Sequence, residues 1–284
     1  YNLLYPNFYD GITESGFINH SRVFEGEFDE KRQKEINKLI KKAIKYAHQK
    51  KITNILLSWE NVNPAFAEKV NAIKQSFGLD VKILVYIRRQ DQWYESGWKQ
   101  WGHKQSAYNT IDDYVKSIPL DWNKRLKKWD ELFGTANIIL NAYEKMQLPQ
   151  GLLQNFLDNW NIKLDEHVFD MSYSDKNKGN HGYSRDILEV LKLCQGLNKN
   201  INDNTLFRFF NFYLDDKYIK PSYENYSILS CEQRKEILVR YKDSNAEIAR
   251  KYLGREDGKL FYETIDKDVD VYEAFKNSYL NHLK

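Results

Sequence analysis

The sequence predicts an α/β fold: a central parallel sheet flanked by helices, with a mostly helical C-terminal part. Three observations carry that reading. Residues 52–58, 81–87 and 138–140 are short runs rich in Ile, Leu and Val, as strands are. Helical patterns separate them, giving the order strand, helix, strand, helix, helix, strand that parallel sheets require. The run 81–87, VKILVYI, is nearly continuous in apolar residues, as strands covered on both faces are.

The elements follow in chain order. Residues 1–28 are rich in Gly, Asn, Pro and aromatics without a period and read as loops. In 29–50, Ile36, Leu39, Ile40, Ala43, Ile44 and Ala47 recur at steps of three and four, which predicts an amphipathic helix with its lysines in water. Strand 52–58 leads into Trp59, Glu60 and Asn61. A helix over 64–77 opens with Pro64 in its first turn, where a missing N–H costs nothing, and stops at Gly78. Strand 81–87 ends in Arg88 and Arg89, and a helix opens near Asp91. Residues 110–133 carry more helix, 138–140 a strand and 150–160 a helix. The polar stretch 165–183 reads as loop, and 184–195, 203–214 and 230–252 as helices. With no repeat and no linker composition, residues 1–284 read as a single domain.

Composition bounds the function. A chain of 284 residues buries roughly three quarters of its unfolded surface, enough for a core without disulfides or metals. Its two cysteines, Cys194 and Cys231, form no CxxC, which argues against a disulfide framework and a cysteine-held zinc and suits a cytoplasmic, reducing setting. Net charge is +3 from 43 basic and 40 acidic residues, too balanced to expect a nucleic-acid partner. No stretch approaches the ~18 apolar residues of a membrane span. Aromatic content is high, with 20 tyrosines and 7 tryptophans that suit both cores and ligand clefts. The helical spacing of Trp93, Tyr94, Trp98 and Trp101 favours a buried face over an acceptor cleft.

In open α/β sheets, ligands sit beyond the carboxyl ends of the strands. Three such ends carry chemistry here: Trp59-Glu60, Arg88-Arg89, and Asn141-Ala142-Tyr143-Glu144. A guanidinium and a carboxylate at neighbouring strand ends can hold an anion beside a general base. Arg88 precedes a helix N-terminus and Ser96 lies in that helix, so a phosphate there meets a guanidinium, a hydroxyl and the helix dipole together. The plainer alternative is that both arginines pair with surface carboxylates.

The segment VKILVYIRRQDQWYESGWKQ (81–100) resembles the 3′-phosphate-binding segment of sulfotransferases, in which an Arg ends a strand and a Ser follows eight residues later. It is most similar to bacterial sulfotransferase-like proteins of polysaccharide gene clusters. NILLSWEN (54–61), NAYEKMQLPQGLLQNFLDNWNI (141–162) and SCEQRKEILVRYKDSNAEIARKYLGREDGKLF (230–261) resemble further parts of that family, in order, so the likeness spans about residues 17–262. The resemblance implies a P-loop-like sulfotransferase fold. It implies transfer of a sulfuryl group from 3′-phosphoadenosine 5′-phosphosulfate to a hydroxyl or amine of a carbohydrate or small-molecule acceptor, without a metal. It assigns Arg88 and Ser96 to the 3′-phosphate, Glu60 to the catalytic base, and His20 to a second base position. It also places Lys178 and Gly179 in the loop that closes over the nucleotide; His103 and His181 are weaker candidates. The alternatives are a non-catalytic binding module on the same fold, or another nucleotide-dependent transferase.

One departure stands out. The family begins with a strand, a Gly/Lys/Thr loop that wraps the 5′-phosphosulfate, and a helix, and no Gly-x-x-Lys-x-Gly-Thr-like stretch occurs in these 284 residues. Because the first residue is Tyr1 and not Met, the expectation is that a strand-loop-helix unit of roughly 30–60 residues precedes this chain. The acceptor and the oligomeric state leave no signature in the sequence.

Overall fold

The structure is a computed structural model and describes residues 2–6, 20, 24, 29–60, 62–105, 107–163 and 227–265. It is a mixed α/β arrangement of small parallel sheets and packed helices. Strand β1 (Leu3–Leu4) pairs in parallel with β2 (Asn54–Ile55). Strand β3 (Ile83–Ile87) pairs in parallel with β4 (Ile138–Ala142), from Ile83 opposite Ile138 to Ile87 opposite Ala142. The expected strand over 52–58 is thus only two residues of ladder. Leu56 extends the contact by donating its N–H to Leu4 O at 2.8 Å. Leu3 and Leu4 lie where the sequence predicted loop. Two residues are too short for an alternation to show.

Helix α1 (Glu30–Gln49) starts where Asp29 accepts the Arg32 N–H at 2.7 Å, and it buries the stripe Ile36, Ile40, Ala43 and Ala47. Helix α2 (Pro64–Phe77) is capped by Asn63, whose side chain accepts the Ala65 N–H at 3.0 Å. It ends at Gly78 with φ +62°, the left-handed conformation that only glycine adopts cheaply. Helix α3 (Gln90–Gln100) follows β3 at once. The helical stretch 110–133 divides into α4 (Ile111–Ser117) and α5 (Trp122–Phe133) around Pro119, which cannot continue a helix. Helix α6 is Gly151–Asn159. The stretch 230–252 divides into α7 (Cys231–Arg240) and α8 (Lys242–Leu253) at Tyr241, whose buried hydroxyl accepts the Leu120 N–H and meets the Tyr94 hydroxyl, both at 2.9 Å. The helices predicted over 184–195 and 203–214, and the loop at 165–183, lie outside the described residues.

Helix α5 joins two apolar cores. Trp122 and Leu126 pack with β3, β4, α3, α7 and α8, among Val85, Ile87, Tyr94, Leu140 and Ile248. Trp129 and Phe133 pack with α1 and α2, among Ile36, Ile40, Phe66 and Ile73. Burial of such side chains, at about 1.5–3 kcal/mol per large apolar side chain, is the main force that fixes the strand ends relative to α3. Among the described residues, no helix is long and apolar enough to cross a membrane.

Candidate functional site

The carboxyl end of β3 separates two adjacent arginines. The pleat sends neighbouring side chains to opposite faces. Arg89, 5% exposed, turns inward. It donates from Nε to Asp91 Oδ1 at 2.8 Å, from Nη2 to Asp91 Oδ2 at 3.0 Å, and from Nη1 to Glu263 O at 2.6 Å. Arg234 on α7 donates to Asp91 Oδ2 at 2.7 Å and pairs with Glu95. Glu95 in turn accepts from Ser227 Oγ at 2.9 Å and Leu229 N at 3.1 Å. This buried, charge-balanced network ties α3 to α7 and to the segment after α8.

Arg88 is only half-buried and takes no part in that network. Its Cζ lies 4.7 Å from the Tyr143 ring centroid, a cation–π contact across the β3–β4 pair. Its carbonyl accepts the Trp122 indole N–H at 2.9 Å. Its guanidinium forms no ion pair with any described residue. The plainer reading from sequence is that both arginines pair with surface carboxylates; Arg89 instead pairs with the buried Asp91, and Arg88 with no described carboxylate. Ser96 lies partly exposed on α3, almost two turns from its start, on the side away from the buried face of Gln90, Asp91, Tyr94, Glu95 and Trp98.

Glu60 lies exposed in the turn between β2 and the Asn63 cap of α2. His20 is fully buried. Its Nδ1 accepts the Ser58 N–H at 2.9 Å, so Nε2 carries the proton and donates to Pro6 O at 2.8 Å. Burial, the largest cause, holds its pKa below the usual histidine value. Both nitrogens are engaged in clamping β1 and β2, which gives His20 a structural place. His103 is also buried, with Nδ1 2.8 Å from Trp98 O. Lys178, Gly179 and His181 lie outside the described residues. Glu144, at the end of β4, is buried and accepts the backbone N–H groups of Tyr262 at 2.7 Å and Glu263 at 3.1 Å, so it caps a loop.

Of the aromatic row on α3, Tyr94 and Trp98 are core and Trp101 is 61% exposed. Trp93 is half-buried, edge-on to Trp122 and parallel to Tyr114. Sequence reasoning missed Arg125 on α5, whose Cζ lies 5.7 Å from the Trp93 centroid and 5.5 Å from the Trp122 centroid. The signal was present: Arg125 is one turn from Trp122 in a helix with two tryptophans. Beyond β4, a cleft of about 320 Å³ is lined by Asn141, Met146, Gln147, Leu253, Arg255 and Tyr262; Asn141 belongs to a strand end that the sequence singled out, whereas Arg88, Ser96, Glu60 and His20 are not in the lining. Among the described residues no group of three or more His, Cys, Asp or Glu side chains is placed to hold a metal ion.

No protein-family model matches the chain, and no solved structure does. An uncharacterized protein of Archaeoglobus fulgidus is 27% identical over 193 residues, 67% of this chain and 50% of that protein. The chain thus spans about half the length of the curated relative it matches.

Proposed function

We propose that the chain is a sulfotransferase-like protein of P-loop-like fold that binds a 3′-phosphoadenosine nucleotide at the carboxyl end of β3. The observation that carries this reading is the division of labour between Arg88 and Arg89. Arg89 is consumed by Asp91 and the Glu263 carbonyl, whereas Arg88, at the entrance to α3 and eight residues before a partly exposed Ser96, has no ion-pair partner among the described residues. A half-buried cation beside a helix N-terminus favours a dianionic phosphate. The parallel β3–β4 pair, with α3 springing from the strand end, supports the fold half of the reading.

In the enzymatic form of this reading, an acceptor hydroxyl attacks sulfur. The bond from sulfur to the bridging phosphate oxygen breaks, adenosine 3′,5′-bisphosphate leaves, and the acceptor's proton passes to a base. Glu60 is the base, because it is exposed in the turn after β2; His20, whose nitrogens both serve backbone groups, is not. A second reading is a binding module without transfer.

Calorimetric titration of adenosine 3′,5′-bisphosphate into the chain and into Arg88→Ala tests the proposal. A loss of about 1.4 kcal/mol or more, tenfold in affinity, supports it. Equal binding by both proteins, or none by either, refutes a 3′-phosphate site at Arg88.

A further inference from the structure

We propose that Arg125 is an oxyanion-binding residue, presenting its guanidinium from the corner between Trp93 and Trp122 to a phosphate, sulfate or carboxylate group of a ligand held at the carboxyl end of β3. The proposal rests on the reading above for the position of that ligand and adds a second cation to it.

The partly or fully buried arginines among the described residues divide cleanly. Arg32 pairs with Glu35, Arg89 with Asp91, and Arg234 with Asp91 and Glu95. Arg255 donates to the carbonyls of Lys259 and Leu260 and to Gln147. Arg88 and Arg125 differ: each rests on aromatic faces, and neither guanidinium donates to a described oxygen. Trp122 connects the two. Its ring supports Arg125, and its indole N–H holds the Arg88 carbonyl. Trp93, the other support, sits on α3 one turn before Ser96. Trp122 therefore touches both arginines, Arg125 through its ring and Arg88 through the main chain.

Aromatic faces satisfy part of a guanidinium's charge but none of its N–H groups. Burial pulls the Arg125 pKa down, against the smaller opposing influence of Tyr94, Tyr241 and Tyr114. Among the described residues no carboxylate forms an ion pair with it. A partly desolvated cation with unmet donors is poorly placed for stability and well placed to receive a planar or tetrahedral oxyanion. Its ligand is an oxyanion from one of two sources, a phosphate of the nucleotide or an acidic group of a sugar acceptor.

The test uses the full chain, Arg125→Gln, Arg125→Lys and Arg88→Ala at constant ionic strength. Sulfate is first titrated, with melting temperature and tryptophan fluorescence as readouts, since Trp93 and Trp122 flank the site. The wild type is expected to gain melting temperature with sulfate. Arg125→Gln is expected to melt no lower than wild type without sulfate and to lose the gain, and Arg125→Lys to keep part of it. Two further arms identify the source. At least a tenfold loss of adenosine 3′,5′-bisphosphate affinity in Arg125→Gln assigns the oxyanion to the nucleotide. Loss of glucuronate or galactose 6-sulfate binding, with the nucleotide unaffected, assigns it to an acidic acceptor. A sulfate response identical in wild type and Arg125→Gln, with the variant melting lower, overturns the proposal and makes Arg125 a packing post. Failure of the nucleotide reading looks different: Arg88→Ala then binds the bisphosphate like wild type, while the Arg125-dependent sulfate response persists.

Discussion

Arg89 and Asp91 form a two-pronged ion pair, 2.8 Å and 3.0 Å, with side chains 6% and 0% exposed. Asp91 also meets Arg234 of α7, which it shares with Glu95. Removing it leaves Arg89 buried without a carboxylate and Arg234 with Glu95 alone, the costly way to break a buried pair. Asp91→Ala is expected to lower stability by about 3–5 kcal/mol, read from urea unfolding. Arg88→Ala gives up only a cation–π contact with Tyr143 and is expected to cost about 1 kcal/mol or less. If Arg88→Ala proves as damaging as Asp91→Ala, Arg88 is a structural residue and loses its claim on a ligand.

His20 makes stability depend on acid. Its Nδ1 lone pair accepts the Ser58 N–H, and a proton there breaks that bond in a fully buried site. The folded state therefore binds the proton less readily than the unfolded chain does. Stability from this residue is full above the unfolded pKa of about 6.5 and declines as pH falls through that value toward the lower folded one. His20→Gln keeps a donor and an acceptor without titrating. Urea midpoints measured at pH 7.5 and 5.5 should fall more for wild type than for His20→Gln, and equal falls would remove His20 as the cause.

Glu60 separates binding from transfer. Glu60 is exposed in its turn, outside both apolar cores. Glu60→Gln is expected to leave bisphosphate affinity within about threefold and to slow sulfuryl transfer by about 10²–10⁴, the usual contribution of a general base. Release of adenosine 3′,5′-bisphosphate from the donor in the presence of hydroxylated sugars is the readout. Unchanged transfer would move the base elsewhere in the chain.

What could be read in the sequence follows from periodicity. The stripe of α1, the Pro64 and Gly78 boundaries of α2 and the apolar β3 are local patterns, and each corresponds to an observed element. Leu3–Leu4 escaped because its partner lies about fifty residues away, a pairing no local window contains. The break at Tyr241 escaped for the same reason, since it depends on Leu120 and Tyr94. At the strand end, residue types pointed to Arg88 and Arg89 together. Only the fold distinguishes them, because Glu263 and Arg234, which complete the network around Arg89, come from far along the chain.

Gly97 ties the packing of α3 to its ligand face. A Cβ at Gly97 would lie 2.5 Å from the Tyr114 hydroxyl oxygen, closer than atoms can approach. Tyr114 is 4% exposed and ringed by Trp93, Tyr94, Trp98 and Tyr108, so it has no room to retreat. Gly97→Ala must then push α3 outward, at an overpacking cost of about 1–3 kcal/mol. Ser96 precedes Gly97 on that helix and moves with it, so bisphosphate affinity should fall together with stability. Tyr114→Phe removes the offending oxygen, and the next ring atom stands 3.4 Å away. Adding it to Gly97→Ala should restore both properties, with a coupling of about 1 kcal/mol or more between the two sites. Additive effects in that double-mutant cycle would mean that α3 accommodates the methyl group without moving. Recovery of stability without recovery of affinity would mean that Ser96 does not contact the nucleotide.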